Sequence, residues 1–279
     1  MITINVDPIA FAIGRLAVPW YALTLAAAVA TVMVMAWREA RRAGIPPKAF
    51  WQGAAWAFAG GVTAAKLVHV VDWWEHYATH PREILRPEGW ALYGAILGAL
   101  LAVWGYARIS GTSFWRWGDV IALGAPLGQA IGRVGCIIQG CCYGVPTSLP
   151  WAVVYTHPRS FAPLGVPLHP AQAYFLLWNL AVFAALRRLR GRWRAHSLSA
   201  DSTILLPYAS ERARLKPEGS LFLAYLALYS AGDFGLRFLR QGKPFLFGLH
   251  QAQVIGLAVL AAAVPLLVIR MRRGNALDF

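Results

Sequence analysis

Charge is what this chain has least of: Asp, Glu, Lys and Arg make up 14 % of its 279 residues, against 58 % hydrophobic ones. A surface with so few charges cannot solvate a soluble globule of this length or hold a disordered chain apart from itself. No Pro/Ser-rich linker, internal repeat or low-complexity tract interrupts the sequence, which excludes a string of tethered modules and predicts a single domain over 1–279. No basic residue precedes Arg15, and Asp7 and Pro8 stand where a cleaved leader would carry its positive end, so the first apolar segment is expected to stay. Cysteine is rare as well. All three lie in the stretch GRVGCIIQGCCYG at 132–144.

What the chain does have is long apolar runs. Segments able to cross about 30 Å of hydrocarbon occupy 16–37, 50–71, 90–107, 118–138, 170–186, 220–239 and 248–269. They predict an all-α integral membrane protein with seven transmembrane helices. The formal net charge of +14 would suit a nucleic-acid binder, but the basic residues alternate between loops as membrane orientation requires. One set of loops holds Arg38, Arg41, Arg42, Lys48, Arg108, Arg116, the basic segment from Arg187 to Lys216, and Arg270, Arg272 and Arg273; the other holds only Arg15, Arg82, Arg86, Arg159, Arg240 and Lys243. The excess belongs inside, so the N-terminus is predicted outside and the C-terminus inside, with no nucleic acid as partner. The RRLRGRWR run then reads as an anchor to anionic lipid. In the longer outer loop at 139–169, LPWAVVY has the character of a short strand.

Under this topology the polar residues of the spans collect at one level. Tyr21 begins the first span on the outer side, Lys66 and His69 end the second, Tyr93 begins the third and Arg133 ends the fourth. His169, Gln172 and Tyr174 open the fifth, Asp233 and Arg237 close the sixth, and His250, Gln251 and Gln253 open the seventh. This implies a polar cavity opening outward. Lys66, Arg133 and Arg237 carry most weight, because an intramembrane charge marks either function or a buried pair. Asp233 precedes Arg237 by four, so an i,i+4 ion pair is the structural reading of those two. Asp119 reads as a cap at a helix start. Gly94 and Gly98, and Gly124, Gly128 and Gly132, form small-residue ridges for close helix packing; exposed backbone at Gly132, Gly135 and Gly140 could also reach a phosphate.

These residues resemble the bacterial prolipoprotein diacylglyceryl transferase family. The resemblance rests on GRVGCIIQGCCYGVPTSLPW, with Trp20-Tyr21, Gly94, His169-Pro170-Ala171-Gln172-Ala173-Tyr174, Arg237-Phe238-Leu239-Arg240 and Gln253 in the same order along nearly the whole chain. It implies transfer of a diacylglyceryl group from phosphatidylglycerol, or another anionic phospholipid, to the thiol of a lipobox cysteine in a secreted prolipoprotein, with release of glycerol phosphate. The expected location is the bacterial cytoplasmic membrane, multi-pass, with the active site facing the outer leaflet; no cofactor is expected. Arg133 is the first choice to hold the lipid phosphate and stabilise the departing charge, as a guanidinium is suited to do. Arg237, Arg240 and Lys66 are candidates for a second cation. Tyr21, Gly132, Gly135, Gln139, Gly144, His169, Asp233 and Gln253 are expected to line the substrate site. The chain departs from the family pattern around the reacting centre. Tyr93 stands where a histidine usually precedes the glycine pair, and tyrosine is a poor base near neutral pH. Cys136 and Gln139 replace asparagines, Cys141 replaces an acidic residue, and Asp233 with Arg237 looks like an ion pair with its members exchanged. His69, one turn beyond Lys66, is the candidate replacement base.

Three cysteines in C-x₄-C-C spacing fit no common zinc pattern, and no metal is expected from the spacing alone. Three readings stay open: a disulfide from Cys136 to Cys141 or Cys142, small apolar packing residues, or a reactive thiol beside Arg133 that takes part in a two-step transfer. The departures also leave room for a homologue that acts as a thiol-redox protein, a transporter or a non-catalytic lipid binder.

Overall fold

The computed structural model describes residues 1–14, 16–86, 89–200 and 217–276. Helix dominates: α1 (Trp20–Arg42), α2 (Pro47–Asp72), α3 (Trp74–Thr79), α4 (Leu92–Ile109), α5 (Phe114–Ala122), α6 (Gly124–Gln139), α7 (Ala171–Ala200), α8 (Ser220–Leu236) and α9 (Gln251–Ala276). Short 3-10 turns cover Pro81–Leu85 and Arg237–Leu239. α1, α2 and the Gln251–Arg272 part of α9 are each long and apolar enough to cross a bilayer, and the α5–α6 pair is a fourth such element when its two helices, bent by 44°, count as one. Val29, Phe58, Leu101 and Leu177 are each more than half exposed on their helices. Such surfaces require hydrocarbon around them, where a helix satisfies its backbone within itself. The protein is a membrane protein.

Several expected boundaries shift. The first segment does not begin as helix at 16: Leu16–Pro19 is strand β3, paired antiparallel with β2 (Ile9–Ile13) in a hairpin that turns at Gly14, and the helix starts at Trp20. Arg15 lies outside the described residues. The expected span at 118–138 is broken near Leu123. Pro126 explains the break, since its ring excludes the carbonyl of Ala122, four residues earlier, from a continuous helix. Helix α7 continues well past 186, carrying the first half of the basic segment; 201–216 lie outside the described residues. The strand expected in LPWAVVY is present as β4 (Val153–Tyr155), whose partner was not foreseen: β1 (Ile2–Ile4) runs parallel to it with Ile2, Thr3 and Ile4 opposite Val153, Val154 and Tyr155.

Packing divides the chain into two compact units, Met1–Glu39 with Gly118–Phe279, and Ala40–Trp117. In the first unit α6 packs on α7, α7 on α8 and α8 on α9. α6 also meets α1 through glycine: a Cβ at Gly124, Gly128 or Gly135 would run into Val32 and Met35, Val32 and Ala28, or Thr24 and Tyr21 in turn. The order reverses along α1, so the two helices are antiparallel. Gly132, expected on this ridge, meets nothing within 4 Å, and Gly135 takes its place. At the far end of the same unit Asp119 caps a helix, as expected of it, but the helix is α8 and not its own: its carboxylate accepts hydrogen bonds from Gly219 N at 2.6 Å and Phe222 N at 2.9 Å. Glu39 is buried in an ion pair with Arg190 there. In the second unit α2 and α4 pack through Gly60 and Ala64 against Gly94 and Gly98, where an added Cβ would strike the facing backbone.

Candidate active site

The end of α6 is set by Gly140, whose φ of 75° closes the helix with its amide on the Cys136 carbonyl at 3.0 Å. Two residues later Cys142 also turns left-handed, with φ 61°. A non-glycine residue in that conformation is uncommon. Its consequence is that the chain folds back over the helix end and the sulfurs of Cys136, Cys141 and Cys142 come within 4.8 Å of one another. All three are free thiols here, so of the three readings left open for them the disulfide is not the one this structure holds.

The loop that follows builds its own small core from Val153, Tyr155, Ala162 and Leu168, with Ile4, Tyr143 and Val166 against it. Buried Gln172 ties this core to the cysteine turn, donating to the Cys141 carbonyl at 2.9 Å and to the Tyr155 hydroxyl at 3.2 Å, while Tyr155 donates to the Ile137 carbonyl at 3.0 Å. Burial pushes the Tyr155 hydroxyl up to about 12, so it remains a neutral donor. Backbone bonds then knit three distant segments: Gly144 N to His169 O at 3.2 Å, Val145 N to Leu239 O at 3.0 Å and Gln241 N to Tyr143 O at 3.1 Å, with Gly144 bridged to Arg240. Gly144 has no room for a Cβ, which would press on His169 and the Leu239 carbonyl.

The first unit thereby gathers Tyr21, Arg133, Gly135, Cys136, Gln139, Cys141, Cys142, Gly144, His169 and Arg240 around one helix end. The Arg133 guanidinium lies over the Phe175 ring at 4.6 Å, a cation–π contact that orients it. The Tyr21 phenol lies within the electrostatic reach of Arg133 and the three thiols. Arg240 follows the 3-10 turn at the end of α8, and its Nε is buried with no hydrogen-bond partner among the described residues; the same holds for Gln139 Oε1. Orphaned polar atoms of this kind are rare in folded proteins and call for a partner. Cys142 receives hydrogen bonds from Cys136 and Cys141, and with the charges of Arg240 and Arg133 these pull its thiol well below the ordinary range. Cys141 moves the opposite way, raised by its bonds to Cys136 and Cys142 and by burial.

Two expected substrate residues have local partners instead. Asp233 and Arg237 form the i,i+4 ion pair, Nε to Oδ2 at 2.5 Å, with Asp233 buried. Gln253 accepts from His250 N at 2.8 Å and donates to the Phe234 carbonyl at 3.1 Å, which seats the start of α9 on the end of α8. His169 approaches Tyr174, whose hydroxyl accepts from Trp151 Nε1 at 2.8 Å.

Lys66, His69 and Tyr93 belong to the second unit. Lys66 Nζ donates to the Arg86 carbonyl at 3.0 Å and sits 5.8 Å and 5.6 Å from the centres of the Tyr77 and Trp90 rings. His69 stacks near Trp73 and Tyr77 and forms one wall of a cavity of about 290 Å³ that also holds His76, Glu83, Arg86 and Gly89. Tyr93 is exposed near the start of α4. Sequence reasoning missed Tyr155 and Phe175 altogether and saw Gln172 only as a polar helix opener. Nothing in a lone tyrosine or phenylalanine signals that it will lie under an arginine or behind a turn.

Apolar helices thus bring Arg133, Arg240, the Gln139 and Gln172 amides and three thiols to one turn of a membrane protein. The family described as prolipoprotein diacylglyceryl transferase matches residues 8–269. The chain belongs to that family and is a transferase. It is similar to phosphatidylglycerol--prolipoprotein diacylglyceryl transferase of Dehalococcoides mccartyi, 40 % identical over 279 residues that span 100 % of this chain and 99 % of the relative. Proteins of the same name from Trichormus variabilis (32 % identical, 95 % of this chain and 91 % of the relative) and Clostridioides difficile (31 %, 90 % and 90 %) are similar at greater distance.

Proposed function

We propose that this chain transfers the diacylglyceryl group of phosphatidylglycerol to the cysteine thiol of a prolipoprotein, with Arg133 and Arg240 holding the lipid phosphate. One observation carries the reading of the site: Arg133, near the end of α6, and Arg240, more than a hundred residues later and bridged to Gly144, meet at the same helix end. The chemistry calls for such a pair. A sulfur–carbon bond forms between the incoming thiolate and the glyceryl carbon, the bond from that carbon to the phosphate oxygen breaks, and its electrons stay on the phosphate. A singly charged diester thus departs as a monoester with an added negative charge, which fixed cations stabilise more strongly than they do the ground state. The thiol proton must go to a base. His69 and Tyr93, with Lys66 as a further cation, are kept as candidates on the second unit; in the first, Tyr21, Gly132, Gly135, Gln139, Gly144 and His169 would shape the pocket, and Asp233 would hold Arg237 in place. Arg237, neutralised by Asp233, ranks below Arg240 as the second cation.

The same proposal places the chain as one membrane domain of seven spans in the bacterial cytoplasmic membrane, N-terminus outside, with this site at the outer leaflet. The asymmetry of Lys and Arg between loops supports it. The relatives' shared name favours group transfer over the redox, transport and silent lipid-binding readings, none of which it supports. The test is release of glycerol phosphate from labelled phosphatidylglycerol in the presence of a lipobox peptide. Arg133→Ala and Arg240→Ala should each lower turnover by about 10²- to 10³-fold, and Arg133→Lys should restore only part, since lysine lacks the planar fork. Wild-type turnover in either alanine variant, folded normally, would reject the assignment. Turnover that persists in a triple Cys→Ala variant would reject the two-step covalent route.

A further inference from the structure

The thiol cluster is not needed for the transfer just described, yet the fold goes to some trouble to assemble it. Cys136 lies in the last turn of α6, Gly140 ends that helix left-handed, and Cys142 adopts a second left-handed conformation that a non-glycine residue avoids unless its surroundings impose it. Gln172 holds the Cys141 carbonyl and the Arg240 bridge holds the strand beyond. Without these constraints the spacing C-x₄-C-C would spread its sulfurs. With them all three lie within 4.8 Å of one another.

That spacing suits one kind of ligand. Three sulfurs around a single cation at a bond length of about 2.3 Å stand about 4 Å apart in a trigonal plane, so side-chain rotations of less than about 1 Å would complete the set. Among the described residues no histidine or carboxylate joins the three as a fourth donor, which disfavours zinc, whose structural sites close with four ligands. Soft thiolates alone select a soft, monovalent cation that accepts three-coordination. Arg133 and Arg240 face the cluster; their charges offset the excess negative charge of three thiolates around a monovalent ion.

We propose that Cys136, Cys141 and Cys142 form a trigonal thiolate site for a cuprous ion. Binding releases the thiol protons to solvent and leaves copper as Cu(I), so no oxidant or reductant is consumed. The site shares Arg133 and Arg240 with the transferase reading, but a copper titration needs no lipid, so failure of either reading leaves the other to be tested by itself.

The experiment uses the full chain in detergent micelles, reduced and kept anaerobic, titrated with Cu(I) against a chromophoric Cu(I) chelator. About one copper per chain should move from the chelator to the protein, with a sulfur-to-copper charge-transfer band in the ultraviolet and three sulfurs in the copper X-ray absorption spectrum. C136S, C141S and C142S should each bind at least about tenfold more weakly, and Zn(II) should compete poorly. Failure of the wild type to withdraw copper, retention unchanged in the triple serine variant, or a shell with two sulfurs would each overturn the proposal. Serine occupies nearly the volume of cysteine, and far-ultraviolet circular dichroism and thermal unfolding unchanged in each variant would show that loss of copper is not loss of fold.

Discussion

Asp119 offers the sharpest test of how the first unit is held together. Its carboxylate, buried on α5, accepts from Gly219 N at 2.6 Å and Phe222 N at 2.9 Å, and so caps a helix a hundred residues away in sequence. The Asp119→Ala variant strands two buried N–H donors. Each unsatisfied donor costs about 1–3 kcal/mol, and loss of an ordinary N-cap costs about 0.5–2 kcal/mol. Relief from burying a carboxylate offsets part of this. We therefore expect a net loss of about 3 kcal/mol, roughly two decades in the folding equilibrium. Asp119→Asn keeps one good acceptor but turns an N–H₂ toward the other donor, and should lose about half as much. The assay is reversible unfolding in mixed micelles by titration with a denaturing detergent, followed by tryptophan fluorescence. An Asp119→Ala variant within about 0.5 kcal/mol of wild type would refute the idea that this cap holds α8 in place.

Three further outcomes follow from other parts of the molecule. Phe175→Leu removes the ring under Arg133, and should lower turnover by about 3- to 10-fold through a misdirected guanidinium, with a loss of about 1–2 kcal/mol in unfolding from the smaller side chain at this buried site; unchanged turnover would disconnect Phe175 from the site. Gly128→Leu places a side chain against Val32 and Ala28 and should separate α1 from α6 at a cost of at least about 1–3 kcal/mol, seen as lower thermal stability and faster labelling of buried Cys136. The Asp7 carboxyl is held below its usual range by the hydrogen bond from Ile9 N, with Arg159 and His157 adding to the effect. Its folded value lies below its unfolded one, so its contribution is present above about pH 4 and fades as the pH falls through the folded value. Protease cleavage near the N-terminal hairpin should rise in acid, and Asp7→Asn should remove that dependence.

Much of this architecture was readable because hydrocarbon leaves few choices. An apolar run with no partner for its backbone must be helical, so helix stands along each run, though the one at 118–138 is broken in two and α7 runs on to Ala200. The Asp233–Arg237 pair was readable for the same local reason, since positions four apart share a helix face. The failures were all nonlocal. Leu16–Pro19 is as apolar as the helix it precedes, and only pairing with Ile9–Ile13 makes it strand. Gly132 has the spacing of a contact residue, yet it is Gly135 that meets α1 in the packed structure. Asp119 was legible as a cap but not as the cap of α8, because a carboxylate carries no record of which amides it will meet.

The sequence by itself determined the solvent, the helical class and the family, because composition and short motifs express the cost of placing charge and backbone in lipid. Tertiary structure alone decided that Arg240 joins Arg133 at one turn and that Phe175 underlies the guanidinium. It also decided that three cysteines, spaced as if for nothing in particular, meet at the end of a helix. Those outcomes depend on left-handed backbone at Gly140 and Cys142 and on hydrogen bonds spanning a hundred residues, and contacts of that range appear only when the chain has closed on itself.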